Sequence, residues 1–197
     1  MNIYDTVMDS TSHPLTIHEI PVPGLKGKIG ISIVPGKKGP SLQYCSDWNR
    51  DLDADISIVT KWGAKAVLTL IEDYEFGMLG VEELPEKVRA KGMYWFHLPI
   101  EDISTPDHRF TKDWPDVCCQ LLQTLRDGGN VLAHCKGGIG RSGLVCALLL
   151  QETGMSAERA IDTVRRCRPG AIETFEQEEF VRDYQPVRCL PLLNNKI

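Results

Sequence analysis

The run HCKGGIGRSG at positions 134–143 constrains the fold of this chain more than any other feature. It follows the apolar segment 131–134, which predicts a buried strand, and it leads into the apolar segment 142–153, which predicts a helix. Between a strand and a helix N-terminus, a glycine-rich loop can turn successive backbone N–H groups inward around a tetrahedral anion. The run therefore predicts a phosphate-binding loop at a strand-to-helix junction.

Two side chains give this loop its predicted chemistry. Arg141 can donate two parallel hydrogen bonds to phosphate oxygens, which a lysine could not reproduce. The same donors should stabilise a thiolate on Cys135, so we expect a nucleophile that is ionised at neutral pH. A glycine-rich turn around a buried cysteine is the alternative interpretation, and the complete residue order disfavours it. A nucleotide-binding loop is excluded, because no G-K-[ST] follows the glycines.

Strand-like and helix-like segments alternate along the chain, which predicts an α/β fold. We expect a single domain with a central, mainly parallel sheet flanked by helices on both faces, the apolar helix 142–153 running through its middle. Residues 1–197 would divide into an N-terminal arm or extra strands at 1–40, a catalytic core at 41–184 and a tail at 185–197. The predicted strands are 28–34, 64–71, 93–99 and 131–134, and a loop is predicted at 35–40. Helices are predicted at 50–62, 83–91, 142–153, 157–167 and 174–184. A further helix is predicted to have Pro115 in its first turn and to end at Asp127.

The net charge and the composition limit the classes of molecule that this chain is expected to bind. A net charge of −5 argues against nucleic-acid binding and against stable association with anionic membranes. The longest apolar run, 144–150, is too short to span a bilayer, and residues 1–12 lack a basic, apolar leader. The seven cysteines form no C-x-x-C pair, so neither a disulfide framework nor a zinc site is expected. We expect a cytoplasmic monomer with free thiols and without metal or cofactor.

Two further features have alternative interpretations. Cys118 and Cys119 could form a redox pair that protects Cys135, although packing of one of them inside a helix is favoured. Arg50 could add positive charge to the rim of the phosphate pocket, although a solvated charge at a helix start is favoured.

The run 134–143 resembles the signature H-C-x-x-G-x-x-R-[ST] of the cysteine-dependent protein tyrosine and dual-specificity phosphatases. The likeness spans about 40–184 and is greatest to the cyclin-dependent-kinase-associated phosphatases. It implies a double displacement in which Cys135 forms a phosphocysteine, Ser142 stabilises the departing thiolate and His134 orients the loop. The phosphate would be bound by Arg141 and by the loop residues Lys136, Gly137, Gly138, Ile139 and Gly140.

The same resemblance suggests an acid and a water-positioning residue. Segment 99–107 (PIEDISTPD) is similar to the family's acid loop and places Asp102 at the position of the general acid and base. Asp107 and Glu101 are competitors, and Asp107 also fits a turn or helix cap. Segment 168–177 (RPGAIETFEQ) resembles the family segment whose glutamine positions the hydrolytic water, which would be Gln177.

Several classes of substrate are compatible with the predicted site. The leading hypothesis is a phosphoprotein substrate, with a protein kinase as one candidate, dephosphorylated at phosphotyrosine and also at phosphoserine or phosphothreonine. A phosphoinositide or another polyphosphorylated small molecule is the alternative; Lys136 favours it, while Ile139 stands where lipid phosphatases usually carry a second basic residue. A phosphate-binding or kinase-docking module is disfavoured, because Cys135, Arg141 and Asp102 are all present.

Overall fold

A computed structural model describes residues 7–41 and 46–189 of the chain. Cys45 and the end of the predicted tail, 190–197, lie outside this range, as do residues 1–6 of the segment considered for a leader. The strands are β1 (His18–Pro21), β2 (Lys28–Ile33), β3 (Lys38–Ser41), β4 (Ser46–Asn49), β5 (Ala64–Thr69), β6 (Tyr94–His97) and β7 (Asn130–Cys135). The helices are α1 (Leu52–Lys61), α2 (Asp73–Leu79), α3 (Leu84–Ala90), α4 (His108–Arg126), α5 (Gly140–Glu152), α6 (Ala157–Cys167) and α7 (Phe175–Asp183).

The central sheet has five strands in the order β1-β2-β7-β5-β6. Strand β1 pairs with β2 in antiparallel orientation, and all other pairs in this sheet are parallel. Strand β7 lies in the middle, with Cys135 opposite Ile33 of β2 and His134 opposite Thr69 of β5. Because β7 ends at Cys135, this side chain emerges at the carboxyl edge of a parallel sheet, where ligands of α/β folds usually bind.

Helices cover both faces of the sheet, which confirms the predicted fold class. Neighbouring residues of β5 point to opposite faces: Val67 packs with the cluster that includes α1 and α3, and Leu68 packs with the cluster that includes α4 to α7. All residues of α5 are buried, so this helix runs through the middle of the fold as its apolar sequence predicts. None of the helices within the described residues combines the length and apolarity that a membrane span requires.

Three local predictions were wrong. Helix α4 begins at His108, well before Pro115, because the Asp107 side chain accepts a hydrogen bond from the Arg109 N–H at 2.8 Å and caps the helix there. The predicted loop 35–40 contains the start of β3, which pairs with β4 in a separate two-stranded sheet. Helix α2 follows β5 at a place where the sequence predicts no element; it is short and contains Gly77.

The prediction that all thiols are free was also wrong. Cys119 of α4 forms a disulfide with Cys189 of the C-terminal segment. The two residues are 70 positions apart, so no local spacing could show the pairing. Cys118 is buried in the core with a free thiol, and because the Cys119 sulfur is bonded to Cys189, the two neighbours do not form a redox pair. The remaining cysteines of the described ranges are free: Cys118, Cys135, Cys146 and Cys167.

Candidate active site

The loop between β7 and α5 forms the floor of a cavity of about 570 Å³. Cys135 lies at its base with only 3% of its surface exposed. The loop residues that line the cavity are Lys136, Gly137, Ile139 and Gly140, followed by Arg141. The predicted phosphate-binding residues are therefore gathered around Cys135, with one exception.

The exception is Gly138, which faces the sheet. Its φ of +63° lies in the left-handed region, and a Cβ atom there would come within 2.5 Å of the Ser32 carbonyl oxygen of β2. Only glycine fits both constraints. Gly138 therefore lets the loop pass close against β2, so that its neighbours can curve around the cavity.

Ser142 and His134 both lie beside Cys135. The Ser142 Oγ lies 3.4 Å from the Cys135 Sγ, close enough for a hydrogen bond to sulfur. The His134 Nε2 lies 2.8 Å from the Thr69 hydroxyl on the neighbouring strand. Complete burial lowers the pKa of His134 to about 3, so the imidazole is neutral at ordinary pH.

Arg141 is held from behind by a carboxylate that the sequence did not reveal. Its Nη1 and Nη2 lie 2.5 and 3.1 Å from the two carboxylate oxygens of Glu75, and Nη1 also donates to the Ile100 carbonyl at 3.0 Å. Both side chains are 1% exposed, and the Nε donor of Arg141 has no hydrogen-bond partner among the described residues. Glu75 thus fixes the guanidinium in one orientation while a buried donor is left for a ligand.

Asp102 lies in the cavity, directly against the basic groups of the loop. One carboxylate oxygen accepts a hydrogen bond from Arg141 Nη2 at 2.7 Å, and the other lies 3.4 Å from Lys136 Nζ. Asp107 instead caps α4 and binds Arg109, and Glu101 is exposed. Of the three acidic candidates, Asp102 is the one that lines the cavity.

Gln177 is fully buried and packs behind the loop. Its Nε2 donates to the Ser104 carbonyl at 2.9 Å, and its Oε1 accepts from the Glu173 N–H at 2.9 Å. A Cβ atom on Gly140 would lie only 2.9 Å from that Oε1. Gln177 therefore connects segment 99–107, the residues just before α7 and the loop between β7 and α5.

Sequence reasoning misjudged Arg50 and missed two other cavity residues. Arg50 is 2% exposed, because its guanidinium binds both oxygens of Asp55 at 2.7 and 2.8 Å; the solvated-charge interpretation was wrong. Arg168 lines the cavity and donates to the Gly138 carbonyl of the loop at 2.9 Å. Lys37 also lines the cavity. The partners of these side chains are distant in sequence or are backbone atoms, so only the Arg50–Asp55 spacing offered a signal.

One cluster among the described residues has the spacing of metal ligands: Cys118, Glu152 and Cys189. The sulfur of Cys189 is bonded to Cys119, and Glu152 accepts hydrogen bonds from the Tyr184 hydroxyl and from two backbone N–H groups. These donors already occupy the cluster, which lies at the other end of α5 from the cavity.

Comparisons with known proteins agree with this fold and site, which together define a phosphatase. The model of the dual specificity phosphatase catalytic domain matches residues 63–186. The chain belongs to the dual specificity phosphatase family.

Individual relatives support the same assignment. The chain is 28% identical over 182 residues to cyclin-dependent kinase inhibitor 3 of Mus musculus, covering 90% of this chain and 82% of the relative. It is 30% identical over 143 residues to protein tyrosine phosphatase type IVA 3 of Mus musculus, covering 72% and 76%. A crystal structure of kinase associated phosphatase, with its catalytic-site cysteine replaced by serine, matches with a TM-score of 0.74 at 26% identity over 85% of this chain and 92% of that one.

Proposed function

We propose that the protein is a protein phosphatase that hydrolyses phosphotyrosine, and also phosphoserine or phosphothreonine, through a phosphocysteine on Cys135. One observation carries the proposal: the Cys135 sulfur lies at the base of a cavity where Arg141 binds Asp102, and the Arg141 Nε donor has no partner in the described part of the chain. Nucleophile, phosphate-binding group and acid therefore meet at one place.

In the first step, the phosphate of the substrate takes the Nε and Nη2 donors of Arg141 and displaces the Asp102 carboxylate. The Cys135 thiolate attacks phosphorus and the bond to the leaving oxygen breaks, while Asp102 in its acid form gives that oxygen a proton. The N–H groups of residues 136–140 stabilise the charge on the transferring group.

In the second step, Asp102 takes a proton from water as the water oxygen attacks phosphorus. The sulfur–phosphorus bond breaks, its electron pair returns to Cys135, and inorganic phosphate leaves. Ser142 can donate to the returning thiolate, because its hydroxyl is already within 3.4 Å of the sulfur. Gln177 contributes by holding the acid loop at Ser104, which supports its proposed role in placing the water.

The names of the relatives support a phosphoprotein substrate, since one is a protein tyrosine phosphatase and another is a kinase associated phosphatase. A protein kinase is accordingly a candidate partner. A phosphoinositide is the second candidate substrate, favoured by the Lys136 ammonium beside Asp102 in the cavity. A cytoplasmic location and a monomeric state stay predictions; the former suits a Cys135 that must stay reduced.

The proposal is tested with phosphotyrosine and phosphothreonine peptides in the presence of a chelator. Cys135→Ser should abolish measurable hydrolysis, Asp102→Asn should lower kcat about 100-fold or more, and chelation should have no effect. Cys167→Ser is the matched control, because it removes a free thiol of α6 without touching the cavity. Hydrolysis that survives Cys135→Ser would refute the mechanism, and loss of activity with chelator would show that a metal is required.

A further inference from the structure

Among the lysine and arginine side chains that line the cavity, one has no carboxylate or carbonyl partner within the described residues. Five lysine and arginine residues line it, and four have partners within the described residues: Asp55 for Arg50, Asp102 for Lys136, Glu75 for Arg141 and loop carbonyls for Arg168. The fifth is Lys37, whose ammonium has no carboxylate partner in the described ranges.

Lys37 is nine-tenths buried, with 9% of its surface exposed. Its Nζ lies 5.7 Å from the ring centre of Trp48, which also lines the cavity. Burial and the charge of Lys136 lower the pKa of Lys37, while Cys135 and Asp102 act in the opposite direction. The ammonium therefore lines the same cavity as Cys135 and Asp102, in a buried place where a charge without an opposite charge beside it is unfavourable.

The backbone at Lys37 is fixed by the buried pair of Arg50 and Asp55. The Asp55 carboxylate accepts from the Gly36 N–H at 2.9 Å, and the Lys37 carbonyl accepts from the Arg50 N–H at 3.0 Å. Gly36 has a φ of +77°, and a Cβ there would lie 2.8 Å from Leu52, so this turn is tightly constrained. The backbone of Lys37 is thus fixed before any ligand arrives, so binding does not have to order this turn.

We propose that Lys37 binds a second anionic group of the substrate, beside the phosphate that is hydrolysed. The scissile phosphate has Arg141 and the loop N–H groups, so it does not need this lysine. The cavity of about 570 Å³ has room beyond one phosphoryl group. The substrate class that fits is a phosphopeptide with an acidic side chain or a second phosphate next to the phosphorylated residue. This inference rests on the proposed function, because it specifies the substrate of the same site.

The test compares two phosphotyrosine peptides of one sequence, flanked either by glutamates or by glutamines. The wild type should show a kcat/KM roughly tenfold higher for the glutamate peptide, since one added ion pair in a half-enclosed site is worth about that factor. A third peptide with a neighbouring phosphoserine distinguishes a carboxylate from a phosphate as the preferred second anion. A short-chain phosphatidylinositol bisphosphate tests the lipid as the source of both anions.

Lys37→Gln should reduce the ratio between the two peptides to about one, and Lys37→Arg should retain most of it. Lys38→Gln is the matched control, because this neighbouring lysine is exposed and should leave the ratio unchanged. Thermal unfolding of each variant confirms that it is folded, and the ratio within one variant is independent of how much of it is active.

The outcomes separate this inference from the proposed function. A ratio that persists in Lys37→Gln, or an equal loss on both peptides, would overturn the second-anion site while leaving the phosphatase proposal intact. A different result is that the wild type cleaves neither peptide and still hydrolyses the lipid, with Lys37→Gln reducing that hydrolysis. This result would overturn the peptide substrate both in the proposed function and in this inference. If both peptides are cleaved and only substitution of Lys37 changes the ratio, the result supports the phosphatase proposal and the second-anion site together.

Discussion

The two ends of helix α5 each carry a buried charge, and they use it differently. At the N-terminal end, Arg141 pairs with Glu75, and its Nε donor has no partner among the described residues. At the C-terminal end, Glu152 accepts from the Tyr184 hydroxyl at 2.5 Å and from the N–H groups of Val187 and Arg188 at 2.6 and 2.9 Å.

Both ends offset the free-energy cost of removing a charge from water, but the side chains and backbone groups that do so are of different kinds. The Arg141 end uses an opposite charge and keeps one donor for a ligand, which suits a binding site. The Glu152 end uses neutral donors from the C-terminal segment, where the disulfide of Cys119 and Cys189 adds a covalent link. The first should therefore control catalysis, and the second should control stability.

The largest expected effect comes from Arg141→Lys. A lysine can still approach Glu75, but it cannot present two parallel donors to the phosphate. We expect kcat/KM for a phosphotyrosine peptide to fall about 1000-fold, because charge on the transferring group loses its main side-chain donor. Steady-state kinetics measures the loss and thermal unfolding checks the fold. A fall of less than tenfold would mean that the N-terminal end does not govern catalysis.

The second effect should come from Glu152→Gln. The neutral amide keeps the shape of the side chain but weakens three hydrogen bonds to a charged acceptor, so the free energy of unfolding should drop by about 2 kcal/mol. Urea unfolding measures this drop, with kcat expected to stay within twofold. Glu158→Gln is the control, because this carboxylate of α6 is exposed. A kcat that falls with stability would break the division between the two ends.

The smallest effect, taken per pH unit, comes from the buried His134. Its pKa of about 3 in the folded protein lies below the 6.5 of a free imidazole, so the unfolded chain binds more protons between these values. Stability contributed by neutral His134 is present above pH 6.5 and is lost as the pH falls below that value, by about 1.4 kcal/mol per pH unit. Urea unfolding from pH 7 to pH 4.5 should show a shallower slope in His134→Asn than in the exposed control His108→Asn. Equal slopes would show that burial at this end does not control protonation.

The parts of the fold and the site that could be predicted are those marked by residues close together in the sequence. The phosphate loop and α5 were visible because strand, glycines, Cys135, Arg141 and apolar helix follow one another directly in the sequence. Asp102 was proposed by resemblance, and its contact with Arg141 over 39 positions supports that assignment.

The features that were missed depend on distant contacts. Glu75 reaches Arg141 across 66 positions from a short helix that contains a glycine, and the disulfide spans 70. Lys37 lies in a turn whose conformation is fixed by Asp55, so its place in the cavity follows from tertiary packing alone. Arg50 is buried for the same reason, although its sequence position at a helix start is typical of an exposed charge.

The disulfide also affects how the protein has to be handled in the laboratory. The proposed reaction requires a reduced Cys135, and cysteine thiols that react as nucleophiles are readily oxidised during storage. A strong dithiol reductant protects it but also attacks disulfides, so it can release Cys189 from Cys119 in the same tube. A buffer with enough reductant to preserve activity could thus yield a sample in which the C-terminal segment is no longer linked to α4 by the disulfide. Mass spectrometry of each preparation, with free thiols alkylated, would show which covalent form was assayed.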